Sequence, residues 1–131
     1  MCTDGKRTFE FRIAYPPTSA GRKAWNRKYG TNAYYAGKHW AARQQDAEYW
    51  HCLTRAAIRE SGLSEPMFTR PVEIIAYFND NLDCSNHSFE LKMIEDGMRG
   101  VLIADDSRQY VQGVTMRFHD GDYIRVIVRE V

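Results

Sequence analysis

The chain has 131 residues, 44% of them hydrophobic and 27% charged, with 18 Lys+Arg against 17 Asp+Glu. That length fits a single domain, taken as 1–131, and nine Gly and four Pro exclude a fibrous repeat or a disordered tail. No apolar run approaches the roughly 18 residues of a membrane span, and the opening MCTDGKRTFE lacks a signal-like stretch, so a cytoplasmic protein without a membrane partner is expected.

Residues 7–14 alternate Phe9, Phe11 and Ile13 against Thr8, Glu10 and Arg12, the period of a half-buried strand. Pro16-Pro17 stops it. From there to about Gly37 no period emerges among Gly, Asn, Tyr and basic residues, which predicts a long, functional loop. Residues 38–61 lack Gly and Pro. Trp40, Ala47, Trp50, Leu53, Ala57 and Ile58 fall near one helical face there, so a helix ending at Gly62 is predicted, with Trp40, Trp50 and Cys52 in the core. Val72–Phe78 reads as a largely buried strand, and residues 79–86 are turn chemistry. A second helix is predicted over 88–99, with Phe89, Met93 and Met98 inward and Gly100 as its stop. The apolar run 101–104 then leads to Asp105-Asp106. Two β-rich runs, 110–118 and 123–129, flank an Asp-Gly that signals a hairpin. The predicted order is β-α-β-α-β-β, an α/β (α+β) fold with a mixed sheet and two main helices packed on it.

Charge is partitioned along the chain. Residues 1–60 carry 11 basic and 5 acidic side chains, and residues 61–131 carry 7 basic and 12 acidic. Between Glu10 and Asp46 there is no acid, yet Arg12, Arg22, Lys23, Arg27, Lys28, Lys38 and Arg43 all occur. Tyr15, Trp25, Tyr29, Tyr34, Tyr35 and Trp40 interleave with them. Cations mixed with aromatics suit phosphates and unpaired bases, so Arg22, Lys23, Arg27, Lys28, Lys38 and Arg43 are the expected DNA contacts. The acids Asp80, Asp83, Glu90, Glu95, Asp96, Asp105 and Asp106 are opposed only by Lys92 and Arg99. An acidic cluster tolerates a polyanion when divalent cations sit inside it. A metal-dependent enzyme acting on nucleic acid is therefore expected.

Asp83 follows a strand, Lys92 and Asp96 lie four apart on one helical face, and Asp105-Asp106 end an apolar run. Carboxylates from a strand end, a helix face and another strand end can converge at one sheet edge. Hard oxygen donors select Mg²⁺ or Mn²⁺, and a lysine beside them offsets charge on a phosphoryl group. Taken singly, each has an ordinary use: a solvated helical pair for Lys92 and Asp96, a polar turn for Asp105-Asp106, a cap or Asx turn for Asp83. Cys2, Cys52 and Cys84 are odd in number and widely spaced, which disfavours a disulfide framework or a zinc site. His39, His51, His87 and His119 are scattered; His87 is expected at the surface or as a cap, and Cys84 as a bystander in the site.

The run Asp83-Cys84-Ser85-Asn86, Lys92 and Asp96-Gly97-Met98, then 101–104 with Asp105-Asp106-Ser107, resembles the RusA family of Holliday junction resolvases. It is closest to the branch with an Asp-x-x-Asn loop. Strand 9–13 with Pro16-Pro17-Thr18-Ser19 resembles the family's opening strand and turn. The resemblance implies catalytic roles for Asp83, Lys92, Asp96, Asp105 and Asp106, with the four aspartates holding Mg²⁺ or Mn²⁺. It also implies a homodimer that resolves four-way DNA junctions by paired nicks, in recombination and repair. Ser85 stands where many members carry a second aspartate. The alternative expectation is a branched-DNA-binding module without nuclease activity, and a third is an interaction protein whose acidic face docks a basic partner.

Overall fold

The computed structural model describes residues 5–35 and 38–131; Cys2 and Gly37 lie outside the described residues. Strand β1 (Thr8–Ala14) buries Phe11 and Ile13 and ends at the proline pair. The stretch predicted as loop is instead helical. Helix α1 (Ser19–Tyr29) is capped by Thr18, whose Oγ1 accepts the Gly21 N–H at 2.9 Å, and α2 (Thr31–Tyr35) is a short following turn. The sequence signal was weak because α1 buries only Trp25 and Tyr29 and turns Arg22, Lys23, Arg27 and Lys28 outward, so two inward residues carry its whole period.

Helix α3 (Trp40–Glu60) is the long helix expected, and Gly62 ends it at φ 74, a left-handed conformation that favours glycine. Trp50, Ala57 and Ile58 are buried, with Trp50 fully so. Trp40 is not core: it is 68% exposed. It shares the angular position of the buried Ile58, eighteen residues on, so its exposure comes from its place in the first turn and not from its angle round the helix. Cys52 is also exposed, being about 200° round from Trp50.

Strand β2 (Val72–Phe78) is followed by a 3₁₀ turn (Cys84–His87) and helix α4 (Ser88–Met98). The inward residues of α4 are Glu90, Leu91, Ile94, Gly97 and Met98; Phe89 and Met93 pack at its margin. Gly97 lets α4 lie close on α3, since a Cβ there would sit 2.9 Å from Thr54 Cβ and 3.3 Å from His51 Cα. The apolar run 101–104 forms a turn with Leu102 and Ile103 buried, held by a bridge from Ile103 to Phe68.

Strands β3 (Val111–Phe118) and β4 (Tyr123–Glu130) are where expected, but they are not a hairpin. The sheet order is β1-β4-β2-β3: β4 runs antiparallel to both β1 and β2, and β3 pairs parallel to β2. The connection passes round the end of β2, where the His119 N–H donates to Phe78 O and Asn79 Nδ2 donates to Gly121 O at 2.9 Å. Burial explains the exchange. Ile124, Val126 and Val128 are fully buried and take a central place, whereas Gln112, Gly113, Thr115 and Arg117 are exposed and suit an edge. One sheet face lies against the core of Trp50, Ile58, Ile94 and Met98. The other carries ion pairs, Arg125 with Glu10 at 2.9 Å and Arg129 with Glu73. The result is an α+β fold, and no helix of the described residues is long and apolar enough to cross a membrane.

Candidate functional site

Helix α4 and the turn after it build an acidic group around one lysine. Lys92, Glu95 and Asp96 share a face of α4 through three- and four-residue spacing. The buried Leu102 and Ile103 anchor the turn that brings Asp106 to the same place, and Arg55 Nε holds the end of α4 by donating to Gly97 O at 3.2 Å. Lys92 Nζ lies 2.6 Å from Asp106 Oδ2, 3.1 Å from Asp96 Oδ1 and 3.6 Å from Glu95 Oε1. Arg99 Nη1 approaches Asp106 Oδ1 at 3.9 Å.

The electrostatics follow from these distances. The hydrogen bond to Asp106 raises the Lys92 pKa and lowers that of Asp106. Glu95 is pushed up, chiefly by burial and against the attraction of Lys92, with Asp106 and Asp96 adding repulsion. His51 stands near this group, and burial lowers its imidazole pKa against the pull of Asp96.

Glu95, Asp96 and Asp106 could together hold a metal ion: each offers a carboxylate oxygen, and the three lie within 4.8 Å of one another. Oxygens on opposite sides of an Mg²⁺ ion are about 4.2 Å apart. The donor set is therefore of the right chemistry and close to the right size, with Lys92 Nζ placed where its charge competes with a cation. Glu95 is the member that the sequence left outside the primary set; its signal was the three-residue spacing from Lys92.

Asp83 and Asp105 do not join this group by ion pairing. Among the described residues neither forms a salt bridge. Asp83 is the N-cap of the 3₁₀ turn through its carbonyl, which accepts the Asn86 N–H at 2.9 Å, while its side chain makes no capping bond and lines a separate surface pocket of about 360 Å³ with Thr31, Asn32, Ser85, Asn86 and Ser88. Asp105 is half-buried beside Asp106. The loop carrying Asp83 is organised instead by Asp80 and His87. His87 is not a surface residue but is fully buried, stacked on Phe78 at 4.0 Å between centroids. Its Nε2 lies 2.7 Å from Asp80 Oδ1 and its Nδ1 lies 2.9 Å from Cys84 O, so both ring nitrogens face oxygen acceptors. Asp80 Oδ1 also accepts the Leu82 N–H at 3.0 Å, and Tyr15 OH donates to Asp80 Oδ2 at 3.1 Å. Glu90 lies in this region, fully buried, with Trp25 Nε1 donating to its Oε1 at 3.4 Å; burial, with repulsion from Asp80, raises its pKa well above the usual carboxyl range. The loop is further pinned to α2, as the Asn32 N–H donates to Asn86 Oδ1 at 3.0 Å and Thr31 Oγ1 donates to Asn86 O at 3.0 Å. Cys84 Sγ is turned away toward Met116 O, at 3.1 Å.

Three of the predicted basic contacts, Arg22, Lys28 and Lys38, take part in ion pairs within the chain. Arg22 makes a two-point pair with Asp122, at 2.5 and 2.9 Å, that ties α1 to the β3–β4 connection. Lys38 Nζ donates to Asp46 Oδ2 at 2.6 Å and to Lys28 O at 2.8 Å, and Lys28 Nζ lies 3.8 Å from the same carboxylate. Lys23 and Arg27 stand exposed one turn apart on α1, and Arg43 is exposed on α3. No protein-family model matches this chain, and no curated protein matches it at a significant level.

Proposed function

We propose that the chain is a metal-dependent endonuclease of the RusA type that nicks branched DNA, four-way junctions above all. The observation that carries this reading is the convergence of Glu95, Asp96 and Asp106 around Lys92. Its support is the spacing of the Asp83–Asp106 run together with the cations of α1 and α3. Glu95, Asp96 and Asp106 would hold Mg²⁺ or Mn²⁺, which when bound supplies an activated water and charge neutralisation at the scissile phosphate. Lys92 exchanges carboxylate partners for a phosphoryl oxygen and stabilises the charge that builds there. Asp105 stands beside Asp106 at the edge of that group, and Asp83 would meet the DNA from its separate pocket rather than hold the ion. Lys23, Arg27 and Arg43 contact phosphates, and two copies of the chain would cut opposed strands.

A second reading, a branched-DNA-binding module that does not cut, is favoured by Ser85 and by the position of Asp83 in a different pocket from the acidic group. The test is incubation of an end-labelled four-way junction and a matched duplex with Mg²⁺, Mn²⁺ or a chelator. Metal-dependent paired nicks in the junction are expected. Tight binding without nicks under either metal selects the second reading, and absence of both sinks the two together.

A further inference from the structure

Trp25 is 6% exposed and Trp50 is fully buried, but Trp40, the remaining tryptophan, is 68% exposed. An indole carries a large apolar surface that folding ordinarily removes from water. Here it is the first residue of a 21-residue helix. His39 fixes the approach: its Nδ1 accepts the Ala41 N–H at 3.1 Å, and its ring lies 6.0 Å from the indole at an interplanar angle of 29°. Arg43 follows three residues later on the helix and is exposed. Lys38 immediately precedes this pair, and Lys28 is tethered to it through Asp46, a carboxylate only 2% exposed. The first turn of α3 holds no acid.

An exposed π-face that follows two lysines sharing one buried carboxylate, a group of net positive charge, with Arg43 a turn later and no acid in its own turn, matches a base with its phosphates. Bases in a continuous duplex already have both faces stacked. An unpaired base does not.

We infer that Trp40, with His39 beside it and Arg43 on the phosphate, is a stacking platform for an unpaired nucleobase at a branch point or single-stranded end. The inference rests on the DNA-binding reading above and adds to it the element that separates branched from continuous DNA. A patch made for a second copy of the chain would have no need of the surrounding cations.

Because the other two tryptophans are buried, red-edge tryptophan emission reports Trp40. The full chain is titrated with fluorescently labelled oligothymidine, a four-way junction and a matched duplex, recording DNA anisotropy and protein emission together. Quenching of the red-edge emission by the single strand and the junction is expected, with little by the duplex. Trp40→Ala should remove the quenching and weaken single-strand binding by roughly five- to a hundred-fold, the range for one stacked base. Trp40→Phe should keep most of the affinity. Anisotropy that reports binding without any quenching overturns the inference and leaves the DNA reading intact. Failure to bind any of the three DNAs overturns both. Emission that shifts with protein concentration in the absence of DNA assigns Trp40 to a contact between copies, and also overturns it.

Discussion

Lys92 neutralises the repulsion among Glu95, Asp96 and Asp106 and at the same time competes with any cation for the same oxygens. Lys92→Met should therefore tighten Mn²⁺ binding, measured by calorimetry, while slowing nicking by about 10²-fold or more, the scale of losing a charge-stabilising donor. Unchanged metal affinity would mean that the three carboxylates are not the ligands. Glu90 gives a pH prediction of opposite sign to Asp106. The folded chain holds the Glu90 proton more tightly than the unfolded chain, so stability falls as pH rises above the ordinary carboxyl range toward the raised folded value. Asp106 is lowered by Lys92, so its small contribution is present above the ordinary aspartate range and is lost as pH falls through the lowered value. Glu90→Gln should raise the melting temperature at pH 7 and leave a gap to the parent that closes toward pH 4.5, the ordinary glutamate value; a gap that widens in acid would reverse the assignment.

At the scale of elements, α3 and α4 meet at Gly97, where no side chain fits against Thr54. Gly97→Val should cost about 1–3 kcal/mol by overpacking, read from denaturant midpoints. Because α4 carries Lys92, Glu95 and Asp96, the same variant should weaken metal binding. The strands, α3 and α4 were legible in the sequence because each repeats its apolar residues several times. Helix α1 was not, having only Trp25 and Tyr29 to declare a period. The Asp-Gly at 120–121 marks a tight place correctly, since a Cβ on Gly121 would meet Tyr123 and His119 within 3 Å. It does not determine which strands pair, because pairing was decided by the burial of Ile124, Val126 and Val128 at a distance in sequence. The meeting of Lys92 and Asp96 was readable from helical spacing, whereas the Asp80–His87 pair spans an irregular loop with no period to read.

Across the whole molecule, the basic half of the sequence contributes the exposed Lys23 and Arg27 on α1 and Arg43 on α3, and the acidic half contributes the group beside α4. Lys23→Glu with Arg27→Glu should weaken junction binding across sequences and lower the slope of log affinity against log salt by about one for each phosphate no longer neutralised. An unaltered slope would remove α1 from the DNA surface. The most direct measurement on the central claim compares the parent chain with Asp106→Asn on one labelled four-way junction, scoring binding and nicking in the same samples with Mg²⁺ present. The expected result is loss of nicking with binding retained or tightened, because one carboxylate fewer repels the phosphates. Nicking by Asp106→Asn at near the parental rate would contradict the metal-site assignment and the nuclease mechanism built on it.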